Sequence, residues 1–169
     1  MARVFDSVNT FSSLQSQGGG NAAGRRQGIC AALTGLWCMH MLEGKRDLLS
    51  KPSYERAQAL QVLFRWDPAA GGQDFLNLLK RIGIRGTVKF NNSKTPIALG
   101  QIAVQPGVYA LRQVGVHYVG ACVTGSSFYF YDCDANGAGG LHVFDDSASW
   151  VAFVNQYYPG IAFQGFLTQ

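Results

Sequence analysis

Charged side chains are scarce in this chain. They make up 14% of its 169 residues, against 47% hydrophobic. A composition that apolar excludes a disordered polypeptide, and the length is enough to bury a core in one domain. The apolar residues are nonetheless interrupted throughout. No stretch approaches the ~20 consecutive apolar residues that a membrane-crossing helix needs, so no membrane span is expected. The opening residues, MARVFDSVNTFSS, lack the apolar core of a secretory signal. Long runs of one charge are missing too. The net charge is +4, but the basic residues fall in small groups: Arg25 with Arg26, Lys45 with Arg46, and Lys80 with Arg81, Arg85 and Lys89. That pattern reads as a solvated basic face, and no nucleic-acid partner is expected.

Metal-ligand spacing is also absent. The sequence contains no CxxC and no HxxxH pair, so neither a zinc site nor any other metal or cofactor is expected. Its four cysteines, Cys30, Cys38, Cys122 and Cys133, could pair as two disulfides. Each, however, lies in an apolar or aromatic segment, and a chain of this size needs no staples. Free thiols in a reducing compartment are the expected state.

What is present divides in two. Residues 1–26 are polar and Gly-rich around Gly18-Gly19-Gly20-Asn21, and read as a flexible leader. Residues 27–169 read as one domain. ICAALTGLWCMHMLEG predicts a buried helix from Ile29 to its stop at Gly44. Pro52–Trp66 predicts a second helix, opened by proline and closed by Asp67-Pro68, and Asp74–Ile82 a short third. The period then changes. A short helical turn is expected within Pro96–Val104. Strands are expected at Gly86–Phe90, Gly107–Arg112, Val116–Val123, Ser127–Tyr131, Leu141–Phe144 and Ala162–Thr168. Thr124-Gly125-Ser126 marks the tightest hairpin, and Asp145-Asp146-Ser147 caps a last helix running to about Tyr157. Helices first and strands second predict an α+β domain, with N-terminal helices packed on an antiparallel sheet.

Three residues stand where chemistry would want them. Cys30 opens the first long helix, where free N–H groups and the positive end of the dipole favour a thiolate and can hold an oxyanion. Cys38, in mid-helix, reads as a small buried hydrophobe. His117 heads the strand HYVGACV, a placement suited to a general base. His40 and His142 are explained by packing or exposure. Fifteen residues after His117, the aromatic strand SFYFYDCDANG ends in Asp132, placed to accept the histidine N–H and fix its tautomer. Asp132 and Asp134 could equally be turn residues, which aspartate favours. Taken singly each residue is weak evidence, but the order Cys, His, Asp with these placements is much stronger.

GICAALTGLW, GVHYVGA, FYFYDCDANGAGG and the closing helix SWVAFVNQYY together resemble the YopT-type branch of papain-like cysteine proteases. The resemblance covers roughly residues 27–158 and rests on short motifs. Cys30 and Trp37 match the family's G-x-C helix with its tryptophan about seven residues on, and His117 matches the histidine that heads a strand. The family's third residue lies in a pattern like F-F-D-P-N-x-G. Asp132 matches it by following Phe130-Tyr131, and Asp134 by its spacing to Asn136-Gly137; the usual proline is missing. Asp132 is the expected member, with Asp134 in reserve. The resemblance implies a papain-like fold and peptide-bond hydrolysis through a thioester, with Cys30 as nucleophile and His117 as acid and base. Gln27 is the candidate side-chain amide for the oxyanion, although it lies nearer the cysteine than in papain.

Other enzymes reach a thioester with the same groups, so a deamidase, transglutaminase or peptidoglycan amidase is the first rival. A non-enzymatic binding module on a protease-like scaffold is the second. The resemblance, the missing secretion signal and the missing pro-segment together lead to an expected setting: a bacterial effector or toxin domain. It would be borne by a carrier polypeptide or secretion apparatus, silenced by a cognate inhibitor or immunity protein, and would act on a protein substrate in the target-cell cytoplasm.

Overall fold

From Gly107 onward the two-residue alternation of the sequence becomes a sheet. The computed structural model describes residues 2–5, 30–44, 56–57, 59–60, 83, 88–90, 99–113, 117–133 and 139–167. Among these, seven strands form one sheet: β1 (Ala2–Phe5), β2 (Val88–Phe90), β3 (Gly107–Gln113), β4 (His117–Val123), β5 (Phe128–Asp132), β6 (Gly140–Phe144) and β7 (Ala162–Leu167). Their lateral order is β1-β6-β5-β4-β3-β7-β2, and every pairing is antiparallel. The helices are α1 (Cys30–Leu42), α2 (Leu99–Ala103) and α3 (Ser147–Tyr157). The class is therefore α+β with an antiparallel sheet. Residues 56–57 and 59–60 are also helical, within the second expected helix. The third, Asp74–Ile82, lies outside the described residues.

One boundary differs from expectation. Ala2–Phe5, read from sequence as part of the flexible leader, form the edge strand β1 paired to β6, with Ala2 opposite Val143 and Phe5 opposite Leu141. Four residues are too few to show alternation, and only the partner strand makes them a strand. Residues 6–26, including the glycine cluster, lie outside the described residues.

Successive side chains of a strand point to opposite faces, and the sheet uses both. Val108 and Ala110 of β3, Tyr118 and Cys122 of β4, and Tyr131 of β5 pack with α1. Tyr109, Leu111, Val119, Ala121 and Phe130 pack on the other face with Ile102 of α2 and Trp150 and Val154 of α3. A helix in the interior is apolar all round rather than striped. Accordingly α1 is buried at every position from Cys30 to Met39 and again at Met41.

Two contacts seat α1 on β4. Trp37 lies over Gly120, where an added Cβ would come within 2.4 Å of a ring carbon; only glycine lets the indole that close. The same ring stacks on Tyr131, with centroids 5.4 Å apart and planes within 8°. One turn nearer the helix start, Thr34 Oγ1 donates to the Tyr118 carbonyl at 3.0 Å.

β4 and β5 form a hairpin. At its turn the Thr124 N–H donates to the Ser127 carbonyl at 2.9 Å, and the Ser127 N–H donates to Thr124 Oγ1 at 2.9 Å. The threonine side chain thus satisfies a backbone group the turn would otherwise leave open. α3 begins at the N-cap Asp146, which accepts the Ser149 N–H at 2.7 Å. That bond holds the exposed carboxyl below its ordinary range.

Candidate active site

The open end of the β4–β5 hairpin carries two of the three expected residues. The strands are in register with Gly120 opposite Tyr131. Continued by one pair, that register sets Asp132 across from Val119 and diagonal to His117. A diagonal neighbour on the same face is within reach of a long side chain, and His117 Nε2 donates to Asp132 Oδ1 at 2.6 Å. This length is that of a charge-assisted bond. Asp132 is fully buried and His117 is 7% exposed.

Cys30 is the first residue of α1 and is 4% exposed. Its side chain hydrogen-bonds the His117 ring. Since Nε2 is taken by Asp132, Nδ1 is the nitrogen left for the sulfur. The imidazole thus lies between a thiol at a helix N-terminus and a buried carboxylate. Burial of the ring works against its proton. The hydrogen bonds to Asp132 and Cys30, and the negative charge on each, outweigh that and raise the His117 pKa from 6.5 to about 10. The site thus favours the protonated imidazole, held between Cys30 and Asp132.

The Asp132 carboxylate is fixed on its other side as well. Oδ2 accepts the Gly139 N–H at 3.3 Å and the Tyr158 hydroxyl. The Gly139 carbonyl lies 3.2 Å from His142 Nε2, so β6 braces the loop residue that braces the acid. Three donors on one buried carboxylate satisfy a charge that burial alone would penalise.

The remaining thiols differ from Cys30. Cys38 is fully buried, within 3.9 Å of the Tyr109 carbonyl, and burial together with nearby Cys122 pushes its thiol far up. A thiol so placed is inert at neutral pH. Cys122 packs in the α1 core, and none of the four cysteines forms a disulfide. Cys133 is closer to the chemistry. Its sulfur, a ring nitrogen of His117 and a carboxylate oxygen of Asp132 lie within 4.8 Å of one another. Among the described residues this is a set that could hold a metal, joining the adjacent Asp132 and Cys133 to His117 from the neighbouring strand. Asp132 Oδ1 and His117 Nε2 already bond each other, so an ion bridging those atoms would have to replace that hydrogen bond.

The structure thus brings Cys30, His117 and Asp132 together. Gln27 and Asp134 lie outside the described residues. The sequence reading missed Tyr158 and Gly139 as partners of the acid. Tyr158 had a signal of a kind: an aromatic pair, Tyr157-Tyr158, closes the last helix, and only the second of the two is buried.

No protein-family model matches the chain, and no curated protein matches it. Among solved structures, a chain described as the crystal structure of the Pseudomonas avirulence protein AvrPphB is similar at 17% identity and a TM-score of 0.47, covering 82% of this chain and 89% of that one. A likeness of that size decides nothing about chemistry, which the side-chain geometry must carry.

Proposed function

We propose that this chain is a papain-like cysteine protease that hydrolyses peptide bonds through Cys30, His117 and Asp132. The observation that carries the reading is the His117 ring held between the Cys30 side chain and Asp132. Cys30 as a thiolate attacks the scissile carbonyl, and the carbonyl π electrons move to oxygen. The oxyanion forms at the start of α1, where the first N–H groups lie outside the helix's own hydrogen-bond ladder, with Gln27 as the proposed side-chain donor. His117 gives its Nδ1 proton to the departing amine, and the C–N bond breaks to leave a thioester. Neutral His117 then takes a proton from water, whose oxygen displaces the sulfur and releases the acid. Asp132 stays ionised and keeps the ring aimed throughout.

The decisive experiment compares new peptide termini in a lysate treated with the wild-type protein and with Cys30→Ala. Termini that depend on Cys30 support the reading. Deamidated or cross-linked glutamines, with no new termini, would transfer the same residues to an acyl-transfer enzyme.

The proposed setting is a bacterial effector or toxin domain that is delivered by a carrier or secretion apparatus and acts on a cytosolic protein. It rests on the motif resemblance. A dedicated inhibitor would cover the approach between the start of α1 and the start of β4. Cytosolic expression tests this: wild-type protein should arrest growth, Cys30→Ala should not, and the product of the neighbouring reading frame should restore it.

A further inference from the structure

We propose that Tyr158 is a positioning residue of this site, acting through Asp132 to aim the His117 ring at Cys30; this rests on the Cys30–His117–Asp132 reading above. Tyr158 is the C-cap of α3, with φ −133° and ψ 62°, and its backbone N–H closes the helix on the Val154 carbonyl at 2.8 Å. The chain leaves the helix here, and the side chain turns in against the sheet, buried to 3% exposure. Its ring packs on Phe130, with centroids 5.6 Å apart. It also lies stacked beside His117, with centroids 6.0 Å apart and planes within 26°.

The hydroxyl is the decisive atom. An ionised carboxylate can only accept, so Tyr158 donates to Asp132 Oδ2. Oδ1 is the oxygen that holds His117. A carboxylate pinned at one oxygen can still swing about its Cβ–Cγ bond. Oδ2 is held by the long 3.3 Å bond from Gly139 and by the closer Tyr158 hydroxyl, so Tyr158 is the firmer of the two holds that fix the carboxylate and with it the direction of the His117 Nε2–H. The ring plane is further limited by the tyrosine beside it. The hydroxyl bonds the acid, and Tyr158→Phe leaves the stacked ring in place, so what the hydroxyl contributes passes through the acid. A buried tyrosine hydroxyl always seeks a partner, and satisfying it would be the whole story if any acceptor would serve. Here the acceptor is the oxygen that the histidine leaves open.

The groups that face Asp132 set what its loss would do. Among the described residues they include His117 from β4, Tyr131 and Cys133 on either side of the acid, Gly139 before β6 and Tyr158 after α3. Removing the hydroxyl withdraws one of three donors from a buried anion and makes its protonation easier. Protonated Asp132 no longer holds the imidazolium.

The test is Tyr158→Phe, which keeps the ring and its packing, measured alone and in an Asp132→Asn background. The first readout is the rate of Cys30 alkylation by iodoacetamide against pH, which needs no substrate. Tyr158→Phe should move the acid limb of that profile up by roughly half to one pH unit. It should also lower kcat for peptide hydrolysis about 10-fold to 100-fold with little change in KM, the range expected for one hydrogen bond to a charge. In the Asp132→Asn background the same substitution should change the alkylation rate by less than about twofold, because residues that act through one another are not additive. An alkylation profile that superimposes on the wild type, or an equal effect in both backgrounds, overturns the inference. A wild type that alkylates as expected yet cleaves nothing overturns the protease reading alone.

Discussion

The Thr34 hydroxyl donates to the Tyr118 carbonyl at 3.0 Å, across 84 residues of sequence. Thr34 is one helical turn from Cys30, and Tyr118 is the neighbour of His117, so this bond ties the segment of the proposed nucleophile to that of the proposed base. Thr34→Val, which keeps the shape and deletes the donor, should remove this buried bond and cost about 0.5–1.5 kcal/mol in chemical denaturation. A misplacement of reacting groups approaching 1 Å costs on the order of 100-fold in rate. Peptide hydrolysis should therefore fall further than stability alone explains. Unchanged kcat/KM in the folded variant would show that α1 is placed by its other contacts.

Loss of the sulfur at Cys30 should remove activity almost wholly. Cys30→Ala should reduce kcat/KM by about 10⁴-fold or more, as removal of an attacking group does in comparable sites. Cys38→Ala and Cys122→Ala should keep near-normal kcat/KM at a temperature where both remain folded, since both side chains are buried in the α1 core. Steady-state kinetics of the three variants decides between them. Activity that survives Cys30→Ala and disappears in Cys133→Ala would move the nucleophile to the thiol beside His117 and Asp132.

The raised His117 pKa fixes a sign for stability against pH. The folded value, about 10, lies above the ordinary 6.5, so the native state holds the proton more tightly than the unfolded chain. The stabilisation is complete below about pH 6.5, declines as pH rises, and is gone above about pH 10; its size is on the order of a few kcal/mol. Urea midpoints from pH 6 to 10.5 should fall more steeply for the wild type than for His117→Ala. Parallel curves would mean that the imidazolium is not what the folded site retains.

Gly120 tests the seat of α1. Gly120→Ala puts a methyl within 2.4 Å of the Trp37 ring, and either the indole or the helix must move. Overpacking of this kind costs about 1–3 kcal/mol. The double variant with Trp37→Leu should recover part of the loss, since the smaller side chain frees the space. Thermal melts of the single and double variants measure both effects. A Gly120→Ala protein as stable as the wild type would mean that the contact is looser than the backbone positions imply.

Much of this architecture was legible because its signals are local. Thr124–Ser127 carries the hairpin turn in its own side chains, Asp146 carries the N-cap of α3, and the aromatic run Phe128–Tyr131 alternates faces as a two-sided strand must. The placing of Cys30 at the head of a helix, and of His117 and Asp132 at strand ends, could be read in the same way. Other features depend on partners far off in the chain. Ala2–Phe5 become a strand only through β6. The tight fit of Gly120 requires knowing that Trp37, 83 positions earlier, lies above it. The Tyr158 hydroxyl reaches Asp132 across 26 residues, and no periodicity encodes a hydrogen bond between a helix end and a strand end.

His117 and Asp132 belong to one hairpin and lie 15 residues apart, whereas Cys30 comes from far upstream. A ribosome working at about 5–20 residues per second adds Asp132 roughly 5–20 s after Cys30. Tyr158 follows later still. Through that interval the growing chain displays a sulfur with no imidazole to activate it. When the hairpin does close, it delivers base and acid already joined. The three side chains can therefore meet only once the β4–β5 hairpin has been made, however early the cysteine was laid down.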